Sequence, residues 1–265
     1  MENERKTVIV TGGGCVLLSD GRPGAIGYGI ACAFAQEGWN VVVTGRNLNK
    51  LTEAKKNIEE KYGVCVLPVQ ADVEAGKDNA ATVQHVIDET IREFGRIDGL
   101  VNCAQASASG VSLEDQTLEQ FDLAIYSGLY ATYFYMKAAY PYLKETKGSI
   151  VNFGSGAALF GNPGQCGYAA AKEGIRGLSR VAATEWAKDG INVNIICPLA
   201  WTGQLEKFKE QYPQAYEKNV HMPPMGYFGD PMNDIGKACV TLMSPSLKYM
   251  TGETITLEGG LGQRP

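Results

Sequence analysis

Three residues in the second half of the chain have the types and spacing needed to exchange a proton with an alcohol or a ketone. Tyr168 and Lys172 are four residues apart in Gly-Tyr-Ala-Ala-Ala-Lys, and Ser155 precedes the tyrosine by thirteen residues. Residues four apart on a helix share a face, so the lysine would lie beside the phenol. Its positive charge would favour the phenolate and lower a pKa that is normally near ~10. With the serine hydroxyl to bind the substrate oxygen, the set predicts interconversion of an alcohol and a ketone.

The elements that must position these residues alternate regularly along the chain. Nearly continuous apolar runs predict strands at 7–11, 40–44, 64–69, 99–103, 149–153, 192–197 and 254–257. Helical patterns lie between them, at 26–38, 48–62, 79–94, 118–144, 167–188 and 234–243. This alternation predicts right-handed crossovers and an α/β fold. We expect a single domain over residues 1–265, with a Rossmann-like, doubly wound parallel sheet of about seven strands and helices on both faces.

Composition limits the class of protein. The 265 residues are 45% apolar and 20% charged, with a formal net charge of −5 and no basic block. This balance argues against a nucleic-acid partner. No apolar run approaches the ~20 residues of a membrane span, so no membrane association is predicted. The first residues run directly into a strand, and no signal peptide is expected.

Cysteines and histidines also restrict the chemistry. The seven cysteines are odd in number and form no Cys-x-x-Cys pair. They are interpreted as buried thiols of a protein in the reducing cytoplasm. The two histidines, His85 and His221, are far apart in sequence. This separation argues against a histidine-based triad, and no metal site is predicted.

One segment, residues 199–232, interrupts the alternation. It follows the sixth predicted strand, and ligands of open parallel sheets bind beyond the carboxyl ends of the strands. Long connections in compact domains are commonly functional lids. Its apolar members favour a bulky apolar small-molecule substrate: Leu205, Phe208, Tyr212, Tyr216, Met222, Met225, Tyr227 and Phe228. The alternative is an ordinary packed surface segment or a subunit contact.

A glycine-rich turn follows the first strand. Gly12 and Gly14 end the strand, and the first helix begins near Ile26 and Gly27. Such a turn lets a pyrophosphate approach the helix amino terminus, which indicates a dinucleotide cofactor. The spacing is longer than in the usual fingerprint, because residues 15–23 are inserted.

The residue after the second strand bears on the choice between NAD and NADP. An acid there would bind the ribose 2′-hydroxyl of NAD. Here the strand ends in Thr44-Gly45-Arg46, and a guanidinium suits a 2′-phosphate. Arg22, in the inserted loop, offers a second positive charge. We therefore favour NADP over NAD; the alternative is a solvated surface arginine.

With these residues in place, the chain resembles the short-chain dehydrogenase/reductase family over essentially its whole length. The resemblance is carried by Thr11-Gly12…Ile26-Gly27, Ala71-Asp72-Val73, Val101-Asn102-Cys103-Ala104, Ser155, Tyr168-x-x-x-Lys172, Pro198 and Gly252-Glu253…Gly259-Gly260. It implies that Ser155 polarises the substrate oxygen, that Tyr168 is the general acid/base, and that Lys172 lowers the tyrosine pKa and holds the nicotinamide ribose. It further implies cofactor contacts from Asp72, Val73, Asn102, Ala104, Pro198 and, offset by about a residue, Thr202.

The chain departs from the family pattern at four places. The glycine loop is longer and has Ala25 where a central glycine is usual. Gln105 ends an element that is usually Asn-Asn-Ala-Gly. Gly128 stands where many members have a fourth catalytic residue, an asparagine that kinks a helix and orders a relay water. Leu199 replaces a glycine. Because glycine also permits a kink and leaves its carbonyl accessible, we expect a water relay to survive.

Several segments are similar to those of a subgroup, the bacterial 12α-hydroxysteroid dehydrogenases that act on bile acids. The similar segments are 104–110, 125–132, 164–166, 197–200 and 257–265. The resemblance implies reversible oxidation of the 12α-hydroxyl to the 12-ketone, and a homotetramer built on the helices at 118–144 and 167–188. Bile acids are anionic, so a basic residue near the lid is expected to meet the carboxylate. The candidates are Lys207, Lys209, Lys218 and Arg264.

Three alternatives remain beside this interpretation. One is a carbonyl reductase of the same family acting on another steroid position or on fatty-acyl or polyol substrates. Another is an enoyl reductase, but in those the tyrosine and lysine are spaced wider, and position 175 here is Ile175. The third is a non-catalytic NADP-binding protein, which the intact Ser155, Tyr168 and Lys172 argue against.

Overall fold

The computed structural model describes residues 5–74, 76 and 79–262. In this part of the chain seven strands form one parallel sheet in the order β3-β2-β1-β4-β5-β6-β7. The strands are β1 (Thr7–Thr11), β2 (Asn40–Gly45), β3 (Val66–Gln70), β4 (Gly99–Asn102), β5 (Ser149–Phe153), β6 (Asn192–Pro198) and β7 (Thr254–Leu257). The predicted α/β class and doubly wound parallel sheet are confirmed.

Ten α-helices connect the strands of this described region. They are α1 (Ile26–Gln36), α2 (Leu48–Tyr62), α3 (Asn79–Phe94), α4 (Leu118–Ala124), α5 (Ala131–Thr146), α6 (Gly156–Leu159), α7 (Cys166–Trp186), α8 (Gly203–Gln211), α9 (Pro213–Asn219) and α10 (Lys237–Leu242). No helix among the residues described has the length and apolar character required to cross a bilayer.

Alternating residues of the strands build two hydrophobic cores, one on each face of the sheet. Val8 and Val10 of β1 point to the face covered by α1, α2 and α10. Ile9, between them, points to the face covered by α3, α5 and α7. Both faces are therefore buried, which explains why the strand sequences are nearly continuous in apolar residues. The strand order reverses between β1 and β4, and this reversal opens a crevice at the carboxyl edge of the sheet.

The helix predicted at 118–144 is in fact three segments. A π-helical turn, Ile125–Tyr130, separates α4 from α5. A second π-helical turn, Pro231–Gly236, precedes α10. The apolar periodicity continues through such turns, so it did not reveal them. π-Turns in α-helices are frequent at functional sites, and the first one contains Gly128.

The predicted lid contains α8 and α9 and is fixed at both ends. Ala200 forms a parallel bridge with Gly229, and the Trp201 N–H donates to the Gly229 carbonyl at 2.9 Å. Near its middle, the Met225 N–H donates to the carbonyl of Gly259 at 3.0 Å. The lid thus packs against the turn that follows β7.

Two further expectations can be compared with the fold. The seven cysteines, all within the described residues, form no disulfide, but Cys103 and Cys166 are only partly buried and Cys65 is exposed, so the prediction that all are buried is wrong for these three. Cys65 lies just before β3, outside both cores. Leu118, Tyr130, Tyr133 and Val181 are exposed on α4, the first π-turn, α5 and α7. These are the helices implied to form a homotetramer, and that assembly stays a prediction.

Candidate active site

Ser155, Tyr168 and Lys172 come together at the carboxyl edge of the sheet. Ser155 follows β5 and caps α6, with its Oγ accepting the Ala157 N–H at 3.2 Å. Tyr168 and Lys172 lie in the first two turns of α7, and the Lys172 Nζ is 5.5 Å from the centre of the tyrosine ring. The Ser155 hydroxyl lies close enough to the Tyr168 phenol to lower the pKa of that phenol. The crossover from β5 to α7 therefore assembles the predicted set.

Burial dominates the electrostatics of this set. It raises the pKa of Tyr168, and the interaction with Ser155 opposes that rise. It also lowers the pKa of Lys172, which is 4% exposed, to about 8. The sequence predicts a lowered pKa for Tyr168, whereas in the protein without cofactor this pKa is raised. Loss of hydration is the largest cause of the rise, and the interaction with Ser155 only partly opposes it.

The glycine turn brings the end of β1 against the start of α1. Gly12 has a φ of 72°, which favours glycine. A β-carbon at position 27 would lie 2.3 Å from the Gly12 carbonyl oxygen, so only glycine permits this approach. Ala25, the N-cap of α1, makes no side-chain hydrogen bond to the first turn. An uncapped helix start beside a close-packed glycine fits a pyrophosphate. Gly14 lies farther along, against Lys50 of α2.

The inserted loop at 15–23 contacts the lid. The Ser19 Oγ donates to the Glu206 carboxylate on α8 at 2.7 Å, and the Gly203 N–H donates to the Gly24 carbonyl at 2.8 Å. The Arg22 guanidinium is paired with Asp20 at 2.7 Å and with Asp230 at 3.0 Å. Two carboxylates therefore hold the residue that was predicted to add a charge for the cofactor.

Arg46 lies on the open side of the crevice, just after β2. Its side chain is 60% exposed and ion-paired with Glu74. It lines a surface depression of about 530 Å³, together with Asn47, Leu48, Asn49 and Gln70. Asp72 accepts the Glu74 N–H at 2.9 Å, and Val73 beside it is buried. Of the residues predicted at the adenosine end, Arg46 lines this depression, and Asp72 and Val73 follow its lining residue Gln70 in the sequence.

A buried polar network that sequence reasoning missed supports the centre of the crevice. The Thr11 Oγ1 accepts the N–H groups of Cys103 and Ala104, each at 2.9 Å, and so ties β1 to β4. The Asn102 amide donates to Asn152 at 2.8 Å. Asn152 in turn donates to the Ser179 Oγ on α7 at 2.8 Å. The available signal was Asn152, a polar residue inside the apolar run of β5.

The start of the lid lies beside this network. Pro198 is the last residue of β6, and the Thr202 Oγ1 accepts the Leu205 N–H at 3.3 Å as the N-cap of α8. Trp201 packs against Phe228 and Tyr216, with ring centres 5.7 and 6.3 Å apart. The structure thus gives Thr202 a helix-capping contact and gives the lid an aromatic cluster.

Comparison with known proteins agrees with this fold. A family profile described as Enoyl-(Acyl carrier protein) reductase matches residues 22–262. A Burkholderia xenovorans protein of known structure, assigned to the short-chain dehydrogenases/reductases, superposes with a TM-score of 0.87 at 27% identity. The match covers 100% of this chain and 99% of that one. The chain belongs to the short-chain dehydrogenase/reductase family of NAD(P)-dependent oxidoreductases.

Two relatives within the family differ in how similar they are to this chain. The 12alpha-hydroxysteroid dehydrogenase of a Clostridium species is 62% identical over 260 residues, covering 98% of each chain. The 3-oxoacyl-(acyl-carrier-protein) reductase of Thermotoga maritima is 32% identical, over 94% of this chain and 98% of the other. The chain is far more similar to the steroid enzyme than to the acyl reductase.

Proposed function

We propose that this protein reversibly oxidises the 12α-hydroxyl of bile acids to the 12-ketone, with NADP as the preferred cofactor. The observation that carries the proposal is the 62% identity to the Clostridium enzyme along nearly the whole of both chains. The aromatic lid over the crevice supports a bulky apolar substrate. Arg46 stands at the end of β2 in place of an acid and is 60% exposed although it pairs with Glu74, which supports NADP.

The grouping of Ser155, Tyr168 and Lys172 supports a division of labour. In the oxidative direction the Tyr168 phenolate takes the proton of the substrate alcohol. The Ser155 hydroxyl, already close to the phenol, holds the substrate oxygen. Donors placed in this way commonly lower the activation barrier by a few kcal/mol. Lys172 would stabilise the phenolate and hold the ribose of the cofactor, which when bound would supply the hydride chemistry.

The lid offers cations for the carboxylate of a bile acid. The Lys209 Nζ lies over the rings of Trp201 and Tyr216, at 5.7 and 5.5 Å from their centres. Cation–π contacts of this kind hold Lys209 against the aromatic cluster. Lys207 and Lys218 are the other candidates among the described residues, and Arg264 lies outside them.

The first experiment follows the formation of reduced nicotinamide with purified protein, NADP or NAD, and three bile acids. We expect turnover of cholate and deoxycholate and none of chenodeoxycholate, which lacks the 12-hydroxyl. Turnover of chenodeoxycholate would move the chemistry to another carbon. To test the role of the lid lysines, turnover of a 12α-hydroxysteroid without a carboxylate is compared with turnover of cholate. Equal use of that steroid would contradict their role, and activity on 3-oxoacyl thioesters alone would contradict the steroid proposal.

Replacing Arg46 with alanine tests the cofactor preference. We expect KM for NADP to rise about 10- to 100-fold, as for loss of a charge-assisted hydrogen bond, with little change for NAD. Steady-state kinetics with each cofactor measures the difference. Arg22→Ala is the matched control, because two carboxylates, Asp20 and Asp230, neutralise that guanidinium, whereas Arg46 pairs with Glu74 alone. An equal loss with both cofactors would place Arg46 away from the 2′-phosphate.

A further inference from the structure

The side chain of Gln105 occupies an unusual position behind the site. Gln105 follows β4, and its amide lies directly against Gly128 in the first π-turn. A β-carbon at position 128 would lie 2.7, 2.8 and 2.9 Å from the Cδ, Nε2 and Oε1 of Gln105. The glutamine amide therefore fills the space where a side chain of residue 128 would begin.

This amide is buried and unsatisfied. Neither the Nε2 nor the Oε1 of Gln105 has a hydrogen-bond partner within the part of the chain that the structure describes. Buried polar side chains in proteins are nearly always paired, because an unpaired group loses its hydration without compensation. A primary amide has two donors and an acceptor oxygen. A small polar molecule such as water would satisfy both ends of the amide.

The π-turn against which the amide lies packs on α7, the helix that carries the catalytic lysine. Cys103, two residues before Gln105, has its thiol near enough to Lys172 for each to affect the other's pKa. On the other side, Leu129 follows Gly128 and packs against α7. A β-carbon at Gly174, two residues beyond Lys172, would lie 2.8 Å from Leu129 Cδ2. Gln105 thus lies where the end of β4, the π-turn and the start of α7 meet.

A proton must cross this region in each turnover. Oxidation of an alcohol transfers a hydride to the cofactor and releases one proton, which Tyr168 receives and must pass on before the next cycle. Lys172 is buried and Tyr168 is partly buried, so bulk water has restricted access to the pair. A held water between the lysine ammonium and the exterior would return the phenol to phenolate.

We propose that Gln105 is a positioning residue that holds this water. Its amide lies where a side chain of residue 128 would begin. The inference rests on the proposed alcohol oxidation and names a further residue for it. The phenol O–H bond breaks as the proton moves to the hydrogen-bonded chain through Lys172. A proton leaves at the outer end of the chain, and no other reactant is needed.

Gln105→Leu removes the amide and keeps most of the volume. We expect kcat to fall about 10-fold or more, in line with loss of one element of general acid–base transfer, with KM for steroid and cofactor nearly unchanged. The solvent deuterium isotope effect on kcat should increase. Without cofactor, the melting temperature should be nearly unchanged, because leucine keeps most of the volume and the buried amide and its water are removed together. An unaltered kcat and isotope effect would overturn the proposal.

A relocation experiment separates positioning from packing. The φ of Gly128 is outside the left-handed region, so its backbone accepts a side chain once Gln105 is shortened. We expect Gln105→Ala with Gly128→Asn to recover most of the kcat lost in Gln105→Ala. Gly128→Asn alone should be impaired, because its side chain would collide with Gln105. A double variant no faster than Gln105→Ala would refute the role.

These comparisons are ratios to the unmodified protein on any alcohol that it oxidises. Failure on bile acids would therefore refute the steroid proposal and leave the Gln105 ratios measurable. Unchanged ratios with active unmodified protein would refute the Gln105 proposal alone.

Discussion

Tyr168→Phe is expected to lower kcat by about 10²- to 10⁴-fold in both directions, the contribution usual for a positioned general acid or base. The phenyl ring retains the contacts of the tyrosine, so cofactor affinity and fold should persist. Steady-state kinetics and a cofactor-binding titration measure the two effects. Tyr140→Phe is the matched control, because the Tyr140 hydroxyl binds Asp189, outside the site, at 2.7 Å.

The pH dependence provides a second test of the same residue. Burial raises the pKa of Tyr168, so the phenolate fraction, and with it the rate of oxidation, should rise as pH increases through the alkaline range. Reduction uses the neutral phenol and should not rise with pH. Because the interaction with Ser155 lowers the Tyr168 pKa, Ser155→Ala should shift the oxidation profile to higher pH. A profile that Ser155→Ala leaves in place, at reduced kcat, would contradict this coupling.

Lys172→Met is expected to abolish activity and to stabilise the protein without cofactor. Burial lowers the Lys172 pKa from 10.5 to about 8. Below pH 8 both folded and unfolded states carry the charged lysine, and the folded state bears a desolvation penalty on the order of 3 kcal/mol. Between about pH 8 and 10.5 the folded state binds fewer protons, so the free energy of unfolding of the unmodified protein rises with pH. Methionine removes the penalty while filling a similar volume.

Chemical unfolding across that pH range measures this difference. The variant should be more stable at pH 7, and its advantage should diminish toward pH 10.5. Lys188→Met is the control, since Lys188 is exposed and its charge remains hydrated. A Lys172→Met protein that is less stable than the unmodified one at pH 7 would show that the ammonium is stabilised by the folded site. A trade of stability for activity is common where catalysis needs a buried charge.

Local sequence patterns were sufficient to predict the strands and helices and the candidate catalytic residues. Apolar runs located all seven strands, because a strand buried on both faces needs little beyond its own residues to be recognised. The Tyr168–Lys172 spacing defined a helix face, because four residues make about one turn. Glycine at positions 12 and 27 indicated a tight approach that the β-carbon distances confirm. Each inference used residues that are close in sequence, where geometry is nearly independent of the rest of the fold.

Contacts between distant segments were not predictable in this way. Three such contacts are Arg22 with Asp230, Thr11 with Cys103, and Gln105 with Gly128. The residues of each pair are distant in sequence and are brought together only by the tertiary fold. The direction of the Tyr168 pKa was predicted wrongly for the same reason. The charge of Lys172 was visible in the sequence, whereas the loss of water around both groups arises only when the helices close over the sheet. Desolvation depends on everything that surrounds a group, and no short stretch of sequence contains that information.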